Sequence, residues 1–339
     1  MFAAMRSERM EALHFFTDAA TGLEAIIAIH NTRLGPALGG CRYQPYASLD
    51  EAVADAMRLA RGMSYKAALA GLEQGGGKSV IIRPPHVEDR AALFEAFGRC
   101  IESLRGGYIT AVDSGTSPAD MDCIAQQTQH VTSTTRAGDP SPQTALGVLA
   151  GIRAAARARL GQDDLNGVRI MLQGLGNVGH ALAELLVAEG AELLVADLDA
   201  GKVRLVVDEL GAQPVALDAV FEAPCDIFTP CGLGGVLNAM SIGQLRCAAV
   251  AGAANNQLAD ADAADLLDAR GILYTPDYVI NAGGLLYVAL THKGMSKGEI
   301  ALRIRQIGDR LDSIFAQSQA EGRSPAEIAD RQAEEILYS

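Results

Sequence analysis

The sequence predicts an α/β protein of two domains. The chain has 339 residues, which exceeds the size at which a single hydrophobic core usually stops growing. Short apolar, β-rich runs alternate with helical patterns along it, as in sheets that are covered by helices. A segment rich in Ser, Thr, Pro and Gly, residues 132–144, separates two such series. We therefore expect an N-terminal mixed-sheet α/β domain, a doubly wound second domain and a catalytic cleft between them.

The N-terminal domain is expected over residues 1–135. LEAIIAIHNT, residues 23–32, is a short β-rich run, and SLDEAVADAMRLARGM, residues 48–63, opens at capping-box spacing and continues as a helix. A helix over about residues 90–104 and a strand over residues 108–112 follow. This order of elements predicts a mixed sheet that packs against helices.

The stretch GLEQGGGKSVI, residues 71–81, places a lysine after three glycines. A Walker A loop needs a glycine six residues before its lysine, but Leu72 stands there before Lys78. The flanks are also reversed, since a helical pattern precedes the stretch and a β-rich run from Ser79 follows it. We therefore expect a glycine-rich loop that ends at Lys78. A P-loop nucleotide hydrolase is a disfavoured alternative.

The second domain is expected over residues 136–324, and a C-terminal helix, residues 325–339, is expected to return to the first domain. A helix over residues 146–160 precedes a strand over residues 168–172, which enters the sequence QGLGNVGH. Three later apolar runs predict further strands of a doubly wound sheet; they lie at residues 225–230, 247–252 and 271–276.

The glycines of QGLGNVGH form a dinucleotide-binding fingerprint of the Rossmann type. Gly174 permits a tight turn, Gly176 lets the backbone approach a pyrophosphate, and Gly179 lets the helix pack closely on the strand. The next strand, LLVAD, ends in Asp197, whose carboxylate would accept hydrogen bonds from a ribose 2′-OH and repel a 2′-phosphate. The sequence therefore predicts NAD rather than NADP. Two further residues of the motif are assigned to this cofactor site, Asn177 and Val178.

Composition excludes several classes of partner. The formal net charge is -13 and no cluster of Lys and Arg is present, which disfavours nucleic acid and anionic membranes as partners. The six cysteines are scattered without metal-ligand spacing, so we expect no metal site and no disulfide framework. Neither a membrane-spanning run nor a signal-peptide core is recognisable, and the expected location is cytoplasmic.

Two lysines and one acid of the first domain are candidates for chemistry. Lys66 lies in MSYKAALAG and Lys78 in GGGKSVII, both apolar or glycine-rich surroundings rather than charged helical faces. Desolvation favours the neutral amine and lowers its pKa, which produces a usable general base near neutral pH. Asp113, in AVDSGT, follows a predicted strand and is expected to lie near them.

Eight segments resemble the amino acid dehydrogenases of the Glu/Leu/Phe/Val superfamily, above all its leucine dehydrogenase branch. They are LGPALGGCR, RLARGMSYK, GLEQGGGKSVII, ITAVDSGT, QGLGNVGH, DIFTPCGLGGVLN, VAGAANNQL and YTPDYVINAGG. The resemblance covers both predicted domains. It implies NAD-dependent oxidative deamination of an L-amino acid to the 2-oxo acid and ammonia, and the reverse reductive amination.

The resemblance also implies roles for single residues. Lys66 looks like the lysine that binds the substrate α-carboxylate, aided by the backbone at Gly39 and Gly40. Lys78 looks like the catalytic lysine that activates water, and Asp113 like the carboxylate that transfers protons to and from the substrate nitrogen. Four more positions match the family near the nicotinamide or the amino acid: Thr144, Asn255 and Asn281 are assigned to the cofactor and Asn256 to the substrate. Which asparagine contacts which group stays open.

Pocket positions indicate an apolar substrate. Glutamate enzymes of the family carry a lysine where this chain has Leu38, and a hydroxyl where it has Val288, so a substrate carboxylate would be left unpaired. Ala111 resembles leucine enzymes, whereas Leu285 is closer to phenylalanine enzymes. Branched-chain aliphatic substrates are favoured, and phenylalanine or another aromatic amino acid is the alternative.

The expected partners are small molecules and further copies of the chain. The resemblance implies a homo-oligomer, between a dimer and an octamer, while the physiological direction of the reaction stays open. A distant alternative is a non-catalytic NAD-binding sensor, which would leave Lys66, Lys78 and Asp113 without a purpose.

Overall fold

The computed structural model describes residues 1–260 and 262–339, which form two compact units. The first unit comprises Met1–Asp139 and Ala333–Ser339, and the second comprises Pro140–Gln332. Residues 141–144 are expected from the sequence to belong to a hinge, but they lie in the first turn of a helix. Pro142 fits there because the first turn of a helix accommodates a proline readily.

The first unit is a mixed sheet with helices on both faces. Its strands are β1 Ala12–Asp18, β2 Leu23–Asn31, β3 Ala37–Gln44, β4 Gly75–Ile82 and β5 Tyr108–Val112, and its helices are α1 Phe2–Ser7, α2 Leu49–Leu69, α3 Arg90–Ser103 and α4 Pro118–Ala125. The strand order is β1-β2-β4-β3-β5. β2 pairs antiparallel with β1 and β4, whereas β3 pairs parallel with β4 and β5. The predicted mixed-sheet α/β fold of the first domain is confirmed.

Strand β2 shows how the sequence builds two cores in this unit. Its alternate residues Leu23 and Ile27 pack with α3 and α4, while Ile26 and Ala28 pack with α2 on the opposite face. A strand buried on both faces reads as a continuous apolar run, as residues 25–29 of this strand do, while Glu24 is exposed.

The glycine-rich stretch is a strand and not the predicted loop. β4 is the central strand of the sheet, and its first residues are the three glycines. A Cβ at Gly75 would lie 2.0 Å from the Asn31 carbonyl oxygen, and one at Gly76 would lie 2.0 Å from the Ser64 backbone nitrogen on α2. The glycines therefore allow close packing of α2 and the neighbouring backbone. Because Lys78 lies within a strand, a P-loop is excluded.

The second unit contains the predicted doubly wound sheet. Its strands are β6 Arg169–Gln173, β7 Glu192–Ala196, β8 Gln213–Pro214, β9 Ile227–Pro230, β10 Ala249–Val250 and β11 Leu273–Tyr274. The order β8-β7-β6-β9-β10-β11 is fully parallel and is that of a Rossmann fold. Its helices are α5 Ser141–Leu160, α6 Asn177–Ala188, α7 Ala200–Leu210, α8 Ala239–Gln244, α9 Ala263–Ala269, α10 Asp277–Ile280, α11 Gly283–His292, α12 Lys297–Glu321 and α13 Pro325–Tyr338, of which the last contributes residues to both units.

Two kinds of feature are absent from the described residues, 1–260 and 262–339. No helix there is long and apolar enough to cross a membrane. In the same part of the chain, no group of three or more His, Cys, Asp or Glu side chains could hold a metal ion.

Candidate active site

Lys78 and Asp113 form a buried ion pair in the first unit. Lys78 projects from β4 and Asp113 follows β5, with β3 between these two strands. The Lys78 Nζ lies 2.7 Å from the Asp113 Oδ2, and the two side chains are 6% and 23% exposed. The predicted placement of Asp113 at the C-terminal end of its strand is confirmed.

The pKa values of the pair follow from burial and from neighbouring charges. Burial lowers the pKa of the Lys78 amine, the Asp113 carboxylate acts in the opposite direction, and the nearby Arg42 lowers the pKa further. Burial raises the pKa of Asp113, but the charges of Lys78 and Arg42 outweigh it and hold that pKa below its usual range. The arrangement favours an ionised carboxylate beside an amine that gives up its proton readily.

Gly40 leaves the space in which this pair forms. A Cβ at Gly40 would lie 2.7 Å from the Asp113 Cβ and 3.3 Å from the Lys78 Nζ. Carbon atoms normally approach one another to about 3.5–4.0 Å, so any other residue would displace the carboxylate or the amine. Gly39 faces other constraints, since a Cβ there would lie 1.7 Å from the Gly77 carbonyl oxygen and the Tyr108 hydroxyl donates to the Gly39 carbonyl at 2.9 Å.

Sequence reasoning missed Arg42. Its Nε donates to the Asp113 Oδ2 at 3.1 Å and its Nη1 donates to the Asp55 Oδ2 at 2.8 Å. A signal existed, because Gly40 and Arg42 are two residues apart on a strand and therefore face the same side of the sheet.

Helix α2 covers the face of the sheet toward which Lys78 projects. Gly76 and Val80, the alternate neighbours of Lys78 on β4, both contact α2. Lys66 lies in the last turn of this helix and is half-buried. The expected carboxylate-binding lysine is thus on the helix that packs over the strand of Lys78.

Two of the expected pocket residues belong to the first unit and two to the second. Leu38, on β3, is 2% exposed, and Ala111, on β5, is half-buried two residues before Asp113 and so on the same side of the sheet. Val288, 8% exposed, and Leu285, half-buried, lie on α11.

The glycine fingerprint lies where β6 ends and α6 begins, at the point where the strand order of the sheet reverses. Gly174 has a φ of 96°, a conformation that L side chains rarely adopt, and a Cβ at Gly179 would lie 1.9 Å from the Gly174 carbonyl oxygen. Gly176 is the N-cap of α6, and a Cβ there would meet no described atom within 4 Å. Asn177 is exposed and Val178 half-buried in the first turn. This tight turn and open helix N-terminus fit a dinucleotide pyrophosphate.

Asp197 follows β7 and holds the glycine turn. Its Oδ2 accepts from the Leu175 backbone N–H at 2.6 Å, and its Oδ1 accepts from the Asp199 backbone N–H at 2.8 Å. Burial raises the pKa of Asp197, but these hydrogen bonds and the charge of Lys202 outweigh it, so the pKa is lowered. The negative charge expected at this position is present at neutral pH.

The remaining candidate residues of the second unit are Asn255, Asn256, Asn281 and Thr144. Asn281, which is 6% exposed, donates through Nδ2 to the Asn255 Oδ1 at 2.8 Å and to the Ala253 carbonyl at 3.0 Å. Asn256 has a φ of 51°, which asparagine tolerates better than most residues. Thr144, on α5, lies against α11, where a Cβ at Gly284 would be 2.6 Å from the Thr144 Oγ1.

The fold and these sites together indicate the class of protein, a dinucleotide-binding oxidoreductase. A fully parallel sheet of Rossmann order with its glycine fingerprint is the architecture of dinucleotide-binding oxidoreductases. A separate α/β unit with a buried lysine and carboxylate provides groups that can move protons.

Comparison with known proteins identifies the family. The model described as "Glu/Leu/Phe/Val dehydrogenase, dimerisation domain" matches residues 8–130, and that described as "Glutamate/Leucine/Phenylalanine/Valine dehydrogenase" matches residues 197–317. A leucine dehydrogenase of Geobacillus stearothermophilus is 46% identical over 99% of this chain and 93% of its own length. A phenylalanine dehydrogenase of Bacillus thermotolerans is 41% identical over 96% of this chain and 88% of its own length.

A solved structure supports the same conclusion. The crystal structure of L-tryptophan dehydrogenase from Nostoc punctiforme has a TM-score of 0.90 and 39% sequence identity, and the match covers 99% of this chain and 98% of that one. The chain belongs to the Glu/Leu/Phe/Val dehydrogenase family and is an amino acid dehydrogenase.

Proposed function

We propose that this enzyme catalyses the NAD-dependent oxidative deamination of an apolar L-amino acid, with branched-chain aliphatic substrates favoured, and the reverse reductive amination. The products of the forward reaction are the 2-oxo acid and ammonia. The observation that carries the proposal is the buried contact of 2.7 Å between Lys78 and Asp113, since the reaction must move protons on both nitrogen and water.

The residues of the first unit bind the substrate carboxylate and transfer protons. Lys66 binds the substrate α-carboxylate, and the backbone at Gly39 and Gly40 lies alongside. Asp113 accepts a proton from the substrate nitrogen as the bond between the α-carbon and its hydrogen breaks, which leaves an imino acid. Lys78, as the neutral amine, accepts a proton from the water that adds to the imine carbon. Asp113 returns its proton to the nitrogen. The bond between carbon and nitrogen then breaks as the added hydroxyl gives up its proton to solvent water and forms the C=O bond of the 2-oxo acid, and ammonia leaves.

The residues of the second unit fit NAD. When bound, NAD would supply the acceptor for the hydride of the α-carbon. The open N-terminus of α6 at Gly176 would hold the pyrophosphate, with Asn177 and Val178 in the same turn. Asp197 would accept from the ribose 2′-OH, which favours NAD over NADP. Thr144, Asn255 and Asn281 would hold the nicotinamide end, and Asn256 is assigned to the substrate.

An apolar substrate is supported by Leu38 and Val288, which offer no partner to a second carboxylate. Aliphatic amino acids are favoured by Ala111 and by the identity of 46% to a leucine dehydrogenase. An aromatic substrate is the second candidate, because Leu285 differs from the residue of leucine enzymes and the solved structure at 39% identity is that of a tryptophan dehydrogenase.

The quaternary structure belongs to the same proposal. We infer a homo-oligomer, between a dimer and an octamer, from the family model of the first unit, whose description is a dimerisation domain. Light scattering of the purified chain would give its mass directly, and a monomer at micromolar concentration would refute this part. A cytoplasmic location stays a prediction from the sequence.

The test of the reaction is NADH formation with a panel of leucine, valine, isoleucine, phenylalanine, tryptophan and glutamate at alkaline pH. We expect turnover with the aliphatic group. A clear preference for phenylalanine or tryptophan would support the second candidate. NAD binding without turnover on the whole panel would support a non-catalytic sensor.

A further inference from the structure

Arg42 links the proposed catalytic pair to helix α2. Its Nε donates to the Asp113 Oδ2, the same oxygen that Lys78 contacts, while its Nη1 donates to the Asp55 Oδ2. The side chains of Arg42 and Asp55 are only 16% and 14% exposed. Ion pairs so shielded from water are screened much less than surface pairs.

Asp55 is itself fixed from two sides. The Tyr46 hydroxyl donates to its Oδ2 at 2.8 Å, and the Arg58 Nη2 donates to its Oδ1 at 2.8 Å. Burial raises the pKa of Asp55, but the hydrogen bonds from Tyr46 and Arg58 and the charge of Arg42 outweigh it and keep the carboxylate ionised. Asp55 is therefore a permanent, immobilised partner for Arg42.

We propose that Arg42 is a positioning residue that holds the Asp113 carboxylate against Lys78 for proton transfer, with Asp55 as the anchor that fixes the arginine. This inference rests on the proposed function, because it assigns Arg42 to the proton-transfer steps of that reaction. A guanidinium suits the role, since its planar fork donates to two carboxylates at once, whereas an ammonium is a single point charge on a flexible stem.

The charge of Arg42 acts on both members of the pair in the same direction. A cation favours the deprotonated form of its neighbours, and Arg42 lowers the pKa of Asp113 and that of Lys78. The other titratable or charged groups around the pair and its anchor are Cys41 on β3, Tyr108 on β5, Asp120 on α4, Asp55, Arg58 and Lys66 on α2, and Tyr46. When Arg42 is replaced, the pKa of Asp113 should rise, because the carboxylate loses a neighbouring cation and its contact with Lys78 loosens.

The test compares four variants: Arg42→Met, Arg42→Lys, Asp55→Asn and the control Arg99→Gln. Arg99, on α3, is 52% exposed and pairs with Asp18 at 3.5 Å, so its removal leaves the contacts of Arg42 with Asp113 and Asp55 intact. For each variant, kcat and the KM of NAD are measured as functions of pH, together with the melting temperature.

We expect Arg42→Met to lower kcat roughly 10- to 100-fold, the effect of misplacing a catalytic group by about 1 Å, without a matching change in the KM of NAD. The acid limb of its pH profile should move to higher pH, because Asp113 then loses its proton only at higher pH. Arg42→Lys should keep the acid limb nearer to that of the unaltered chain while kcat stays low. Arg99→Gln should leave the profile unchanged.

An acid limb of Arg42→Met that coincides with that of the unaltered enzyme would overturn the inference, even if the melting temperature fell, since a merely structural role predicts that result. If Arg42→Met does not fold, Asp55→Asn decides: a limb at higher pH supports the inference, and an unmoved limb overturns it. An unaltered chain without any turnover would refute the proposed function itself, and the inference with it.

Discussion

Replacing Gly40 by alanine should separate Lys78 from Asp113. The added Cβ would lie 2.7 Å from the Asp113 Cβ, an atom held by the backbone at the end of β5, and 3.3 Å from the Lys78 Nζ. To restore a carbon contact of about 3.5–4.0 Å, either the added Cβ or the Asp113 Cβ must move by about 1 Å. Such a displacement can cost about 100-fold in turnover, and overpacking a dense interior costs roughly 1–3 kcal/mol of stability.

The assay is kcat at saturating leucine and NAD, with chemical unfolding measured in parallel. A matched control is Gly62→Ala on α2, where a Cβ would meet no described atom within 4 Å. That variant should keep its activity and gain about 0.5–1 kcal/mol, the usual preference for alanine over glycine in a helix. If Gly40→Ala retains more than about a third of the turnover, the pair does not depend on the space at Gly40 and the reasoning from geometry is wrong.

Three further predictions concern the pair, the cofactor and stability. Lys78→Ala should keep the fold and the affinity for NAD, measured by calorimetry, but lose nearly all turnover; retention of more than about a tenth of it would refute the assignment of Lys78 as a base. Asp197→Ala removes an acceptor of the Leu175 N–H and the charge that repels a 2′-phosphate. The affinity for NAD should therefore fall roughly 10-fold, and the ratio of the affinities for NAD and NADP should decrease. An unchanged ratio of these affinities would mean that Asp197 does not contact the ribose. His30 is fully buried between the Ser64 and Tyr338 hydroxyls, and burial lowers its pKa to about 4. Since the unfolded chain binds this proton at pH values below about 6.5, the free energy of unfolding should decrease by roughly 3 kcal/mol as pH falls from about 6.5 to about 4. His30→Phe should lack that part of the pH dependence in urea unfolding, and equal slopes for both proteins would contradict it.

Much of the fold was predictable because local patterns and tertiary structure agree. The run from Ala25 to Ile29 is apolar throughout, and the strand that contains it is buried on both faces. The fingerprint from Gly174 to Gly179 has its strand, turn and helix in sequence order, so the Rossmann unit followed directly. Strand β8 has only two residues, Gln213–Pro214, which give no periodic signal.

The glycine-rich strand was predicted wrongly for a physical reason. Glycine has a low preference for strands, so three consecutive glycines favour a loop on local grounds. The backbone of α2 and the end of β2 crowd β4, and only glycines fit there. That crowding depends on tertiary packing, which no local pattern reports.

The catalytic candidates were recognised as residue types, but their arrangement needed the strand order. Lys78 and Asp113 are far apart in sequence and meet because only β3 separates β4 and β5. The same order places Gly40 and Arg42 against them. The roles of Gly40 and Arg42 follow from that proximity, and a motif alone could not supply them.

The most direct test of the central claim is the stoichiometry of the reaction with the unaltered enzyme, leucine and NAD. Ammonia, 2-oxo acid and NADH are measured in the same sample, beside the Lys78→Ala variant. Equimolar formation of all three by the unaltered enzyme, and none above background by the variant, is the predicted result. NADH without ammonia, or equal rates for the two proteins, would contradict an amino acid dehydrogenase that works through Lys78.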